Sequence, residues 1–209
     1  MPRLQRLPRR FYRRDPRVLA PELLNKVLVR GARRGRIVEV EAYAGGADPG
    51  SHAYRGPTAR NASMFGPPGH LYVYVSYGMH HCANIVAGEV GVGVAVLLRA
   101  LAPLSGVDEM YATRAGARLE RDLCSGPGKL CQALGIARED DGADLVRADR
   151  GISLGDDGTA PPREPGVSLR IGLSPGRGDE MPWRWYVPGD PNVSRGPGRF
   201  PVAGAPRRS

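Results

Sequence analysis

Lysine is nearly missing from this chain. Of its 30 basic residues only Lys26 and Lys129 are lysines. Schiff-base chemistry through an amine is therefore confined to two side chains and the N-terminus. Cysteine is scarce as well. Cys82, Cys124 and Cys131 form no CxxC and no paired spacing. That excludes a disulfide framework and a zinc ribbon, and it reads as free thiols in a reducing compartment. Long apolar runs are absent, so no membrane span is expected. The basic start, Met1 to Arg10, leads into no apolar stretch and is not a secretory signal. A cytoplasmic protein is expected. Aromatic residues are only 6% of the chain, yet three of its eight tyrosines, Tyr72, Tyr74 and Tyr77, crowd into one short segment.

The 209 residues fit one domain large enough to bury a core without staples. The net charge of +9, carried by arginine, favours a polyanion and above all a nucleic acid over a membrane or an acidic protein. Residues 1–14 carry six arginines and few apolar anchors, and read as a mobile arm or a solvated lead-in. Asp15-Pro16 predicts a helix start, with Pro21 allowing a second. Arg36 to Tyr43 alternates with period two: Ile37, Glu39, Glu41 and Tyr43 share one face, and Val38, Val40 and Ala42 share the other. Residues 45–69 read as a long ordered functional loop. A tyrosine hairpin, a strand at 90–99, helical spacing at 104–115 and 129–134, and late strands at 167–173 and 183–187 follow. The tail from Pro188 is rich in Pro, Gly and Arg, with 196–209 loosely ordered. Strands joined by short turns with a few helices set apart predict an α+β fold on an antiparallel sheet.

Tyrosines alternating on a hairpin in a basic protein suit a surface that stacks on bases; they also suit plain sheet packing. Glu41, near a strand end beside Tyr43, is either a general base or a solvent-facing glutamate on an edge strand. Arg99 closes an apolar strand; it either caps the sheet in solvent or is drawn inward by a carboxylate, and pairing with Glu41 would hold that group ionised. On a strand only His80 and Cys82 of His80-His81-Cys82 could converge, so no metal site is expected. Ser125-Gly-Pro-Gly-Lys129 ends like a phosphate loop, but Leu123 and Leu130 stand where its first glycine and its hydroxyl belong. Gly91-Val-Gly93 lacks a third glycine. No nucleotide cofactor is implied.

Glu41-Ala-Tyr43, His52, Arg60-Asn61, Met64-Phe65, Pro68-Gly69-His-Leu-Tyr72-Val-Tyr74, Tyr77-Gly-Met79, Asn84, Leu97-Leu-Arg99 and Leu123 to Leu134 form an ordered set. Together they resemble the alkyladenine, or 3-methyladenine, DNA glycosylase family, in a bacterial form, over residues 11–195. The resemblance implies a single glycosylase domain (15–195) with a curved sheet, flanking helices and a protruding DNA-inserting hairpin. It implies that the protein flips alkylated or deaminated purines out of duplex DNA and hydrolyses the N-glycosidic bond. Glu41 matches the general base, Arg99 the arginine that helps hold the water, and Ile171 a main-chain carbonyl with the same task. Tyr43, His52 and Tyr74 match the base pocket and Asn84 its selectivity check. Tyr77 matches the intercalating residue, with Met79 beside it. No cofactor is implied, and a monomer at the nucleoid is expected. The two lysines stand apart in sequence from Glu41 and the tyrosines, which favours water as nucleophile. Tyr72 is left to sheet packing. His80-His81 replaces an aromatic pair of the family pattern. The competing reading is a non-catalytic basic module that binds RNA or DNA through the hairpin.

Overall fold

The computed structural model describes residues 4–194. In chain order its elements are β1 (Gln5–Arg6), α1 (Arg9–Tyr12), α2 (Pro16–Leu23), β2 (Val27–Arg30), β3 (Arg33–Tyr43), β4 (Leu71–Ser76), β5 (His80–Ala87), β6 (Val94–Ser105), α3 (Val107–Thr113), α4 (Pro127–Leu134), β7 (Ile152–Asp156), β8 (Gly166–Ser168) and β9 (Arg184–Tyr186). The strands form one curled antiparallel sheet in the order β1-β7-β2-β3-β6-β5-β4, with β9 and β8 branching from β3. The α+β reading holds.

Period two sorts the strands onto two faces. Val40, Ala42, Leu71, Val73, Ala83, Ile85, Val96 and Leu98 join the main core, which also takes in Leu19 and Leu23 of α2 and Leu130 and Leu134 of α4. Each Val, Leu or Ile among them contributes roughly 1.5–3 kcal/mol on burial. The alternate residues face the other way, where a smaller cluster of Ala53, Met64, Tyr72, Val86 and Ala95 leaves room for polar groups. α2 starts as expected: the Asp15 carboxylate accepts the Arg17 N–H at 2.8 Å, and Pro16 opens the first turn. Pro21 opens no second helix but lies inside this one.

One part of the predicted alternation fails. Register shifts interrupt the β3–β6 ladder on both sides of Glu39, leaving Val38 and Arg99 without Cα partners. Such bulges reverse the pleat. Ile37 therefore joins the main core with Val40 and Ala42, away from Glu39 and Glu41. Nor is β3 an edge strand: β6 lies along one side, and β2 then β9 along the other.

The arginine-rich start, read as a mobile arm or a solvated lead-in, packs against the domain from residue 4 onward. β1 pairs with β7, Tyr12 is fully buried, and the Arg9 guanidinium meets Asp144 at 2.5 Å. Gly69 (φ 79°) leaves the room Tyr12 needs: a Cβ there would lie 2.7 Å from its ring. Composition shows the arginines but not the socket that receives Phe11 and Tyr12. The tail read as loosely ordered, 196–209, lies outside the described residues.

Candidate active site

The face opposite the main core carries Glu39, Glu41 and Tyr43 from β3, Tyr72 and Tyr74 from β4, Cys82 and Asn84 from β5, and Leu97 and Arg99 from β6. Adjacent strands bring them together in register: Glu41 lies opposite Leu97, Leu97 opposite Asn84, and Asn84 opposite Tyr72. A cavity of about 400 Å³ opens on this face, within the range of small-molecule sites. Its walls include Tyr43, His52, Tyr74, Asn84, Arg99 and Ile171.

Glu41 is fully buried just behind that wall. Its Oε1 accepts the Ile171 N–H at 2.7 Å and faces Arg99 Nη1 at 3.1 Å, and its Oε2 accepts the Tyr43 hydroxyl at 2.9 Å. All three partners line the cavity. Each carboxylate oxygen has two lone pairs. Oε1 carries one hydrogen bond and the Arg99 ion pair; Oε2 carries one hydrogen bond and keeps one lone pair open. Burial raises the Glu41 pKa above its ordinary value, and Arg99, the Ile171 N–H and the Tyr43 hydroxyl only partly offset it. Burial and the neighbouring Glu41 charge also keep the Tyr43 phenol protonated, so it remains a donor. The Ile171 contact seen here is made by its N–H; the expectation named its carbonyl.

The aromatic walls are braced from behind. His52 meets Tyr74 edge-on at 4.4 Å between centroids, and Tyr74 stacks on Tyr72 at 5.6 Å. His52 Nδ1 lies 2.9 Å from the Tyr72 hydroxyl. Burial, aided by the charge of Arg60, depresses the His52 pKa, so the ring is neutral at neutral pH. Tyr72, left to sheet packing, thus also lines the cavity and holds His52. Its two-residue offset from Tyr74 was the available signal. Asn84 is buried, and its side-chain amide donates to the Tyr72 carbonyl at 3.1 Å.

The long loop is held by buried polar knots. Asp48 takes Arg170 through two bonds of 2.6 and 2.7 Å, and also accepts the N–H groups of Ala44 and Gly50. The Arg170 guanidinium lies 4.7 Å from the Tyr43 ring centroid, which ties the residue before Ile171 to the cavity wall. Asn61 accepts from Thr58 and donates to the carbonyls of His52 and Gly56. The Asp48–Arg170 pair spans 122 positions, so the sequence offered no local sign of it.

At the far end of β4 and β5 the chain turns through Tyr77 (φ 50°) and Gly78 (φ 72°), closed by the Met79 N–H on the Ser76 carbonyl at 3.2 Å. Two positive φ angles suit a tight hairpin, but a left-handed tyrosine costs roughly 1–2 kcal/mol. Tyr77 is 86% exposed and Met79 72% exposed. Tyr77 also stands on the rim of the cavity.

The methylpurine-DNA glycosylase family model matches residues 10–191. The chain belongs to that family. Three relatives, each named "Putative 3-methyladenine DNA glycosylase", agree with it. The protein from Burkholderia lata is 54% identical over 189 residues, covering 90% of each chain. That from Chlorobaculum parvum is 47% identical over 196 residues (91% of each), and that from Streptomyces avermitilis 46% over 193 (90% of each). As a methylpurine-DNA glycosylase family member the chain is a hydrolase acting on DNA in repair, and the non-catalytic module is set aside. No helix among the described residues is long and apolar enough to cross a membrane.

Proposed function

We propose that the protein is a monofunctional glycosylase that flips alkylated or deaminated purines out of duplex DNA and hydrolyses their N-glycosidic bond with water. The carrying observation is the buried Glu41 carboxylate, whose three partners all line one aromatic cavity. Glu41 takes a proton from water at its open lone pair, while Arg99 and Ile171 hold the carboxylate in place. The water oxygen bonds to the sugar carbon, the carbon–nitrogen bond breaks, and the purine leaves with its electron pair. An abasic site remains.

Tyr43, His52 and Tyr74 enclose the flipped base. Electron-rich rings favour a cationic alkylpurine by about 0.5–2 kcal/mol. Flipping costs a few kcal/mol, least for a damaged pair, so selection begins before chemistry. Asn84 disfavours the amino group of normal guanine. Tyr77, with Met79 beside it, enters the gap in the duplex and offsets the lost stacking. Water is the nucleophile, since Lys26 is buried against Asp156 at 2.6 Å and Lys129 is exposed on α4, neither lining the cavity. The enzyme works as a monomer at the nucleoid without a cofactor.

The test uses duplex DNA carrying one 3-methyladenine, ethenoadenine or hypoxanthine, followed by alkali. Excision of at least one is expected; excision of none would sink the proposal. Borohydride trapping is expected to give no crosslink.

A further inference from the structure

The chemistry above leaves a second buried carboxylate unused. Glu39 is fully buried, two residues before Glu41 on the same face. Its Oε1 accepts Arg99 Nε and Arg184 Nε, each at 2.7 Å, and the Ser194 hydroxyl at 2.8 Å. Its Oε2 accepts the Ser194 N–H at 2.6 Å. Arg99 thus stands between two carboxylates, with Nε on Glu39 and Nη1 on Glu41 at 3.1 Å.

We infer that Glu39 is a positioning residue for the glycosylase reaction: it takes the Nε edge of Arg99, aims Nη1 at Glu41, and keeps Arg99 from closing a two-point ion pair on the base. This rests on the reading of Glu41 as the base. A guanidinium beside a single carboxylate tends to engage both oxygens through its planar fork. Here that would occupy the open lone pair of Oε2 and hold Glu41 as a weak base. Glu39 is the stronger competitor because its contact is shorter and Arg184 and Ser194 fix it in place. The paired register shifts put the irregular residues Val38 and Arg99 beside it, and bulges re-aim side chains next to active sites.

The charges agree. Glu39, Glu41, Arg99 and Arg184 sum to zero while Glu41 is ionised. Without the charge of Glu39, a proton arriving on Glu41 would meet two uncompensated guanidiniums, and proton uptake would be opposed. The other groups near Glu41 are Tyr43, with Arg170, Tyr74 and Cys82 further out. None of them replaces Glu39, since the three thiol and phenol groups are kept neutral by burial and Arg170 is paired with Asp48.

The experiment is the pH profile of single-turnover excision in Glu39→Gln. The acid limb is expected to move down by about one pH unit and the plateau rate to fall about tenfold, with lesion-DNA affinity unchanged. Arg184→Gln should move the limb the other way, and Glu39→Asp should return it towards the wild-type position. A limb that stays put in Glu39→Gln, whether or not stability falls, overturns the inference. Should that variant fail to fold, a ¹³C carboxylate titration of the wild-type protein decides. Glu39 is expected to stay ionised below the pH at which Glu41 takes its proton, and the reverse order overturns the inference. Glu41→Gln run alongside separates the two readings. Excision surviving there defeats the base assignment, whereas a dead Glu41→Gln beside an unchanged Glu39→Gln defeats only the role of Glu39.

Discussion

At the cavity floor every oxygen of Glu39 and Glu41 has a partner and neither side chain reaches solvent, while at the hairpin tip Tyr77 is 86% exposed with φ at 50°. Both are polar or aromatic groups in costly positions, but the cost is met differently. Burying two carboxylates is tolerable at the floor because two arginines, two backbone N–H groups and the hydroxyls of Tyr43 and Ser194 were assembled around them with the fold. Burial pushes the Glu39 pKa upward, yet Arg99 and Arg184 outweigh it and hold it below its ordinary value. None of the described residues covers the tip. In the proposed mechanism its partner is the DNA stack, and the strain and exposure of Tyr77 are offset only on binding. The floor is finished within the free protein; in the proposed mechanism the tip is finished by the substrate.

The sharpest way to break this contrast is Glu41→Gln. Single-turnover excision is expected to fall by about 10²–10⁴-fold while lesion binding persists, because the tip and walls are untouched. Substantial residual excision would remove Glu41 from the role of base. Tyr77→Ser acts on the other side: affinity for lesion DNA should drop about tenfold, the worth of one lost stacking contact, with the chemical step on bound, flipped base little changed. Unchanged affinity for an abasic-site analogue would count against intercalation.

The pH profile of the wild-type enzyme comes next. In the proposed mechanism Glu41 works ionised, and burial raises its folded pKa, so the rate should be lost as pH falls through a value above 4.5. A limb at or below 4.5 would mean that the floor is wetter than its geometry implies. The smallest effect is on stability. Tyr77→Gly relieves the left-handed tyrosine and should raise stability by at most about 1 kcal/mol, read as a slightly higher melting temperature, while weakening lesion binding. A fall in melting temperature would mean that Tyr77 packs usefully in the free protein.

The shared face of Glu41 and Tyr43 on β3 was legible because period two needs only local sequence, whereas Tyr74 and Asn84 were assigned to the pocket by resemblance. Period two failed at Ile37, where the bulges reverse the pleat, a decision made jointly by two strands. Glu39 was seen on the face of Glu41 but given no task, since nothing local shows that Arg99, Arg184 and Ser194 meet there. Arg170 and Asp48 were missed for the same reason. The packing of residues 4–14 was not legible, because arginine content hides a few apolar anchors such as Leu7 and Tyr12. The roles carried by Tyr77 and Met79 came from resemblance; their exposure at the tip is what the structure adds.

The two register shifts around Glu39 cancel. Arg36 faces Ala102 before them and Glu41 faces Leu97 after them, in the same frame. The strands thus keep a shared count of residues across the charged cluster. Losing one residue from either strand alone would leave the other's extra residue unmatched, and the offset would travel outward to Tyr43 and Ala95 as a slip of about 3.3 Å. Length changes in this stretch must therefore come in pairs, one in each strand, or not at all.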